Sequence, residues 1–133
     1  NDSLKDNRNS FQLYNNLGLA YVGLENYKEG IDHFKIAIKL NNNFFDAHIN
    51  LGITYKQNKQ FNESIQSYNK AISLNNLSAH AFNSRGSVYF ILGDYERALD
   101  DYETSKSLDS NFSEVYSFVL VFQSELLLSY CTL

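Results

Sequence analysis

The stretch Leu17-Gly18-Leu19-Ala20-Tyr21 returns 34 positions later as Leu51-Gly52-Ile53-Thr54-Tyr55, and again as Arg85-Gly86-Ser87-Val88-Tyr89. A glycine and a tyrosine held in register three times at one interval are the mark of a stacked repeat protein. The second half of each unit keeps the same time. Tyr27, Ile31, Phe34, Ala37, Ile38 and Leu40 are answered by Phe61, Ile65, Tyr68, Ala71, Ile72 and Leu74, and then by Tyr95, Leu99, Tyr102, Ser105 and Leu108.

Each unit contains two stretches with apolar residues at helical spacing. In the first unit they are Tyr14, Leu17, Ala20, Tyr21 and Leu24, then Ile31, Phe34, Ala37 and Ile38. Only a short polar break separates them, at Glu25-Asn26, Asn58-Lys59-Gln60 and Gly93-Asp94. Two helices joined so closely lie antiparallel as a hairpin. The glycine inside each first helix costs about 1 kcal/mol of helix propensity against alanine, which is tolerated where a second helix approaches closely. Small residues are expected opposite it: Gly30 and Ala37, Ser64 and Ala71, Ala98 and Ser105. One hairpin cannot bury its whole apolar face, so neighbouring hairpins stack into a continuous core.

On these residues the chain resembles the tetratricopeptide repeat family. Tyr14, His48 and Phe82 stand at the leading aromatic position, ahead of the Leu-Gly-x-x-Tyr signature. Gly30 and Ser64 depart from the usual alanine, Arg85 from the signature leucine, and Asn42, Asn76 and Ser110 from the usual inter-repeat proline. The resemblance implies an all-α, right-handed α-solenoid of three antiparallel helix hairpins plus a C-terminal helix. It places repeats at 11–44, 45–78 and 79–112, after a polar leader over 1–10 and before a degenerate apolar helix over 113–133.

The resemblance also implies a partner-binding groove lined by the first helices. Mapped onto this chain, the lining is Asn15, Asn16 and Leu19, then Asp46, Ile49, Asn50, Ile53 and Lys56, then His80, Asn83, Ser84, Ser87 and Phe90. Asparagine carries both a donor and an acceptor, so such a groove can hold a peptide backbone with little demand on its side chains. The carboxylate clamp of chaperone-adaptor members requires cations where this chain has Asn15, His80 and Ser84, and an asparagine where it has Leu19; only Asn50 matches. The closer style is the asparagine ladder of the O-linked N-acetylglucosamine transferase superhelix, with Asn16 and Asn50 as rungs and Ser84 interrupting.

Composition limits the alternatives. A formal charge of -4 argues against nucleic acid, which demands a basic face. Acidic residues crowd the third repeat at Asp94, Glu96, Asp100, Asp101, Glu103 and Asp109, and are expected to form a solvated outer face or, alternatively, an acidic docking patch. Cys131 is the single cysteine, so no internal disulfide is available and a cytoplasmic or nuclear setting follows. His33, His48 and His80 lack the pairing of a metal motif, and no phosphate loop or nucleophile constellation is present. No cofactor and no catalytic activity are expected. With no initiator methionine and a polar start, the chain reads as a piece of a larger protein.

The period predicts a fourth first helix after Asn111, but Leu120 stands where glycine belongs and Gln123 where tyrosine belongs. The run 118–122 and the triplet 126–128 are apolar nearly all round, leaving a patch of Phe118, Val121, Phe122 and Leu126. A terminal repeat normally turns a polar face outward, so the patch is a cut surface of a longer array, a docking or homo-oligomer contact, or, more weakly, a membrane contact. The expected function is a non-catalytic scaffold for protein–protein interaction that binds a partner's peptide or helix in the groove. The alternatives are a substrate-recognition segment of a larger enzyme such as a glycosyltransferase, and a homo-oligomerisation module.

Overall fold

A computed structural model of the chain describes residues 2–109, 121–126 and 128, with the backbone alone described over 2–9. Every regular element among these residues is α-helical: α1 (Asp2–Gly23), α2 (Tyr27–Leu40), α3 (Phe45–Gln57), α4 (Phe61–Leu74), α5 (Ala79–Ile91) and α6 (Tyr95–Leu108). They pair as the hairpins α1–α2, α3–α4 and α5–α6. The chain divides into two compact units, residues 1–76 with the first two hairpins and residues 77–133 with the third. Residues 2–10, expected as a separate leader, continue α1. Residues 121–126 are helical, whereas most of the remaining C-terminal segment, Phe118 included, lies outside the described residues.

The glycine of each first helix is explained by an aromatic ring on the second. A Cβ built on Gly18 would meet Phe34 ring carbons at 2.6 and 2.7 Å, and one on Gly52 would meet Tyr68 ring carbons at 2.7 and 2.9 Å. At Gly86 the contacts relax to 3.1 Å, against Asp101 Cβ and the Tyr102 ring. Phe34 and Tyr68 are almost wholly buried as a result. Gly30 approaches the Gly18 carbonyl, and Ser64 donates its hydroxyl to the Gly52 carbonyl at 2.7 Å. Gly30 and Ser64 thus stand opposite Gly18 and Gly52, as expected. The atoms that forbid a methyl group, however, belong mainly to the ring.

Serine in place of alanine does not strand a polar group. Ser64 Oγ finds Gly52, and Ser105 Oγ donates to the Ala79 carbonyl at 2.9 Å, so both buried hydroxyls are satisfied. His48, at the leading aromatic position of the second repeat, is also buried, with Nε2 paired to the Asn42 carbonyl at 3.0 Å. Burial, and secondarily the charge of Lys70, holds its imidazole below its ordinary pKa, against the opposing pull of the Asn42 carbonyl.

All three hairpin turns close alike. Asn26, Gln60 and Asp94 donate their backbone N–H groups to the carbonyls of Tyr21, Tyr55 and Tyr89 at 2.9, 2.7 and 2.9 Å. One residue earlier, Glu25, Lys59 and Gly93 donate to Val22, Lys56 and Phe90 at 2.9, 3.0 and 3.0 Å. This pair of bonds is the Schellman closure, which requires a left-handed residue just past the helix. That residue is Glu25 (φ 60°), Lys59 (φ 61°) and Gly93 (φ 80°), so glycine occupies the strained position in the third repeat alone.

Two substitutions test these constraints by urea unfolding of the full chain. Gly52→Ala is expected to destabilise by about 1–2 kcal/mol, because overpacking of about 1–3 kcal/mol outweighs the gain in helix propensity. Lys59→Gly is expected to stabilise by about 0.5–1 kcal/mol, because it relieves a left-handed conformation that costs a residue with a Cβ about 1–2 kcal/mol.

Candidate functional site

In the unit of residues 1–76 the expected groove positions lie on α1 and α3. Asn16, Leu19 and Asp46 are exposed, Asn50, Ile53 and Lys56 are half-buried, and Ile49 is buried. Leu19 is 46% exposed, an apolar side chain that intramolecular packing leaves available. Asn15 is buried, and its Oδ1 accepts from Asn50 Nδ2 at 3.0 Å, which joins α1 to α3. Asn50 therefore spends one donor on a neighbouring repeat and keeps its carbonyl oxygen and second N–H. Thr54 extends the polar line by donating to the Asn50 backbone carbonyl at 2.7 Å. Desolvation lowers the pKa of Lys56 from its ordinary value.

In the unit of residues 77–133 the corresponding positions lie on α5. His80 is exposed, and Asn83, Ser84, Ser87 and Phe90 are half-buried. Ser87 donates its hydroxyl to the Ser84 carbonyl at 2.7 Å. Phe90 is engaged within its own unit: its ring lies 5.3 Å from Tyr95 and 5.8 Å from Phe122, and Tyr95 lies 5.2 Å from Phe122. Phe122 is thus half-buried by an aromatic cluster, whereas Val121 and Leu126 are exposed. Among the described residues, Asn83 Oδ1 is buried without a hydrogen-bond partner. It stands at the register of Asn15.

The expectation that Asp101 belongs to a solvated acidic face is corrected by the packing. Asp101 is 5% exposed and receives two bonds from Arg85, Nε to Oδ2 at 2.8 Å and Nη2 to Oδ1 at 2.7 Å. The guanidinium also lies 5.6 Å from the Phe82 ring centroid and 5.8 Å from that of Tyr89. The Asp101 bonds hold the Arg85 pKa above its ordinary value against burial, and burial followed by the Asp101 charge raises that of the Tyr102 phenol. The sequence did carry a signal. Arg85 replaces the leucine of the signature, and Asp101 stands where the second repeat has Ser67, so an unmatched cation and an unmatched anion entered the same hairpin.

Removing one partner should reveal this coupling. Asp101→Ala leaves a mostly buried guanidinium uncompensated and should cost about 3 kcal/mol in chemical denaturation. The double substitution Arg85→Leu with Asp101→Ser, which copies Leu51 and Ser67, should return stability to near the parent value.

Among the described residues, no helix is long and apolar enough to cross a membrane. Profiles of the tetratricopeptide repeat match residues 11–44, 45–76 and 79–112. The chain is similar in structure to the first TPR of Spaghetti (RPAP3) bound to the HSP90 peptide SRMEEVD, with a TM-score of 0.81 at 22% identity over 87% of this chain and 94% of that one. The Arabidopsis OM64 TPR domain gives a TM-score of 0.82 at 19% identity, over 88% of this chain and 98% of that one. MamA gives 0.79 at 21%, over 92% and 74%. At these identities the likeness is one of fold. No curated protein sequence matches the chain. The profile matches span most of the sequence, in the register set by its glycines and tyrosines, and the chain belongs to the tetratricopeptide repeat family.

Proposed function

We propose that this chain is a non-catalytic interaction module that holds an extended peptide or a helix of a partner protein against the first helices of its repeats. The observation that carries the reading is the α1–α3 face of the first unit. There Leu19 and Asn16 are exposed and Ile53 is half-buried beside the Asn50–Asn15 amide pair. Apolar side chains flanking a fixed amide suit a ligand that offers main-chain N–H and C=O groups together with an occasional aliphatic side chain. The similar RPAP3 domain, solved with an HSP90 peptide, supports peptide capture as a use to which this fold is put.

The chemistry of the ligand follows from the side chains. Asn15, His80 and Ser84 replace the cations, and Leu19 the asparagine, that a carboxylate clamp demands. Without charge-assisted bonds to its terminal carboxylate, an acidic tail has little to grip. The groove favours a neutral backbone-directed mode, in the manner of an asparagine ladder with Asn16 and Asn50 as rungs. A second reading, self-association, rests on the exposed apolar side chains of Val121 and Leu126.

The test is selection of peptides from an unbiased display library, followed by calorimetry with the winners and with SRMEEVD. Selected peptides are expected to bind at least about tenfold more tightly than SRMEEVD, and Asn50→Ala or Ile53→Ala to weaken them by about tenfold or more, equivalent to about 1.4 kcal/mol. Asn83→Ile, which copies Ile49, should raise stability by removing an acceptor left unsatisfied among the described residues. Selected peptides indifferent to both Asn50→Ala and Ile53→Ala would refute the groove. If light scattering then gave a dimer that Val121→Glu dissolved, self-association would take its place.

A further inference from the structure

A second surface, away from the α1–α3 face, carries its own binding chemistry. In the first unit a cavity of about 300 Å³ opens between α2 and α4, the second helices of successive hairpins, with α3 beneath. Its apolar lining is Ile38, Leu51 and Tyr55, and Lys35, Lys70 and Glu63 bring charge to it. Among the described residues neither lysine is in an ion pair, and Lys35 Nζ lies 6.0 Å from the Tyr55 ring centroid. His48 also lines the cavity, but its buried imidazole resists protonation and adds no lasting charge near neutrality. Two cations against one carboxylate leave the cavity positive over an apolar base, in a chain whose net charge is negative.

The third repeat carries different chemistry at the corresponding registers. Where the second has Leu51 and Ser67 it has Arg85 and Asp101, whose side chains pair and line a cleft of about 140 Å³ within their own hairpin. The second repeat holds a short hydroxyl where the third holds a carboxylate, and a leucine where the third holds a guanidinium. That exchange removes the pair that lines the cleft in the third repeat.

We propose that the α2–α4 cavity is a docking site for an acidic segment of a partner protein, which inserts one aromatic or branched aliphatic side chain between flanking carboxylates. The volume is at the lower end for ligand pockets, which run about 300–1,000 Å³, and suits a single ring-sized side chain. Lys35 and Lys70, on different helices, are placed to meet carboxylates on either side of it. Such exposed pairs contribute modestly and fade with salt, so the apolar insertion supplies affinity and the lysines supply selection.

The experiment uses the full chain, ¹⁵N-labelled, titrated with the peptide acetyl-DEFDE-amide. Expected are saturable shifts at the amides of Leu51, Tyr55 and Lys70, a loss of at least about tenfold in affinity on Lys70→Glu or Lys35→Glu, and further weakening in high salt. The control peptides acetyl-KKFKK-amide and acetyl-DEGDE-amide are expected not to bind. Ile53→Ala, which tests the α1–α3 groove, should leave this interaction unchanged, so the two surfaces fail or succeed separately. Lysine reversals that leave affinity unaltered while the fold is intact by circular dichroism would overturn the proposal, as would shifts confined to α1 and α3 or equal binding of the lysine peptide. Binding of free 3-phenylpropanoate as tight as that of the peptide would overturn the assignment to a protein segment.

Discussion

The contact between a glycine in one helix and an aromatic ring in the next governs the rest of this structure. With Gly52 lacking a side chain, the Tyr68 ring lies against the backbone of α3, closer than any Cβ would permit. The two helix axes can then approach, Ser64 can reach the Gly52 carbonyl, and the small residues Ala71 and Ala47 are buried completely. Close packing of this kind has little slack, because protein interiors are as dense as organic crystals. The price of a helical glycine is offset by burial of a whole ring, and the repetition of the device at Gly18 and Gly86 makes each hairpin a copy of the last.

Within that constraint the chain varies its polar chemistry wherever a partner is within reach. Ser64 and Ser105 replace alanine and donate to backbone carbonyls, whereas Arg85 and Asp101 replace leucine and serine and satisfy each other. Each substitution would be costly alone, since buried polar groups without partners lose about 1–3 kcal/mol. Asn83 marks the limit of this tolerance: its buried oxygen has no donor among the described residues, at a register where Asn15 has one.

The same substitutions distribute the surfaces. Where the third hairpin holds an ion pair, the second lines a positive cavity with an apolar base. Where Asn15 and Asn50 tie α1 to α3, they fix an amide on the face that carries the exposed Leu19. A repeat whose helices are positioned by a few small residues and rings can change its other positions freely. The family's fold therefore says little about which ligand any one member takes.

The helical hairpins and their order were legible because helical packing imposes a period, and that period is written in Gly18, Gly52, Gly86 and the residues spaced around them. The candidate groove was legible only as a set of positions. That Asn50 bonds Asn15, that Phe90 is covered by Tyr95 and Phe122, and that Asp101 is buried are outcomes of side chains meeting across helices. A one-dimensional pattern does not encode such meetings, because a charged residue looks the same in sequence whether its partner lies 16 positions away or is water. The strained turns at Glu25 and Lys59 were equally silent, since the left-handed conformation there is imposed by the hydrogen bonds that close the hairpin. Short-range periodicity, which is a property of the amino-acid order alone, specified the repeat and the helices. Tertiary structure decided which polar groups are spent inside the fold and which remain to bind, because that depends on distances between helices.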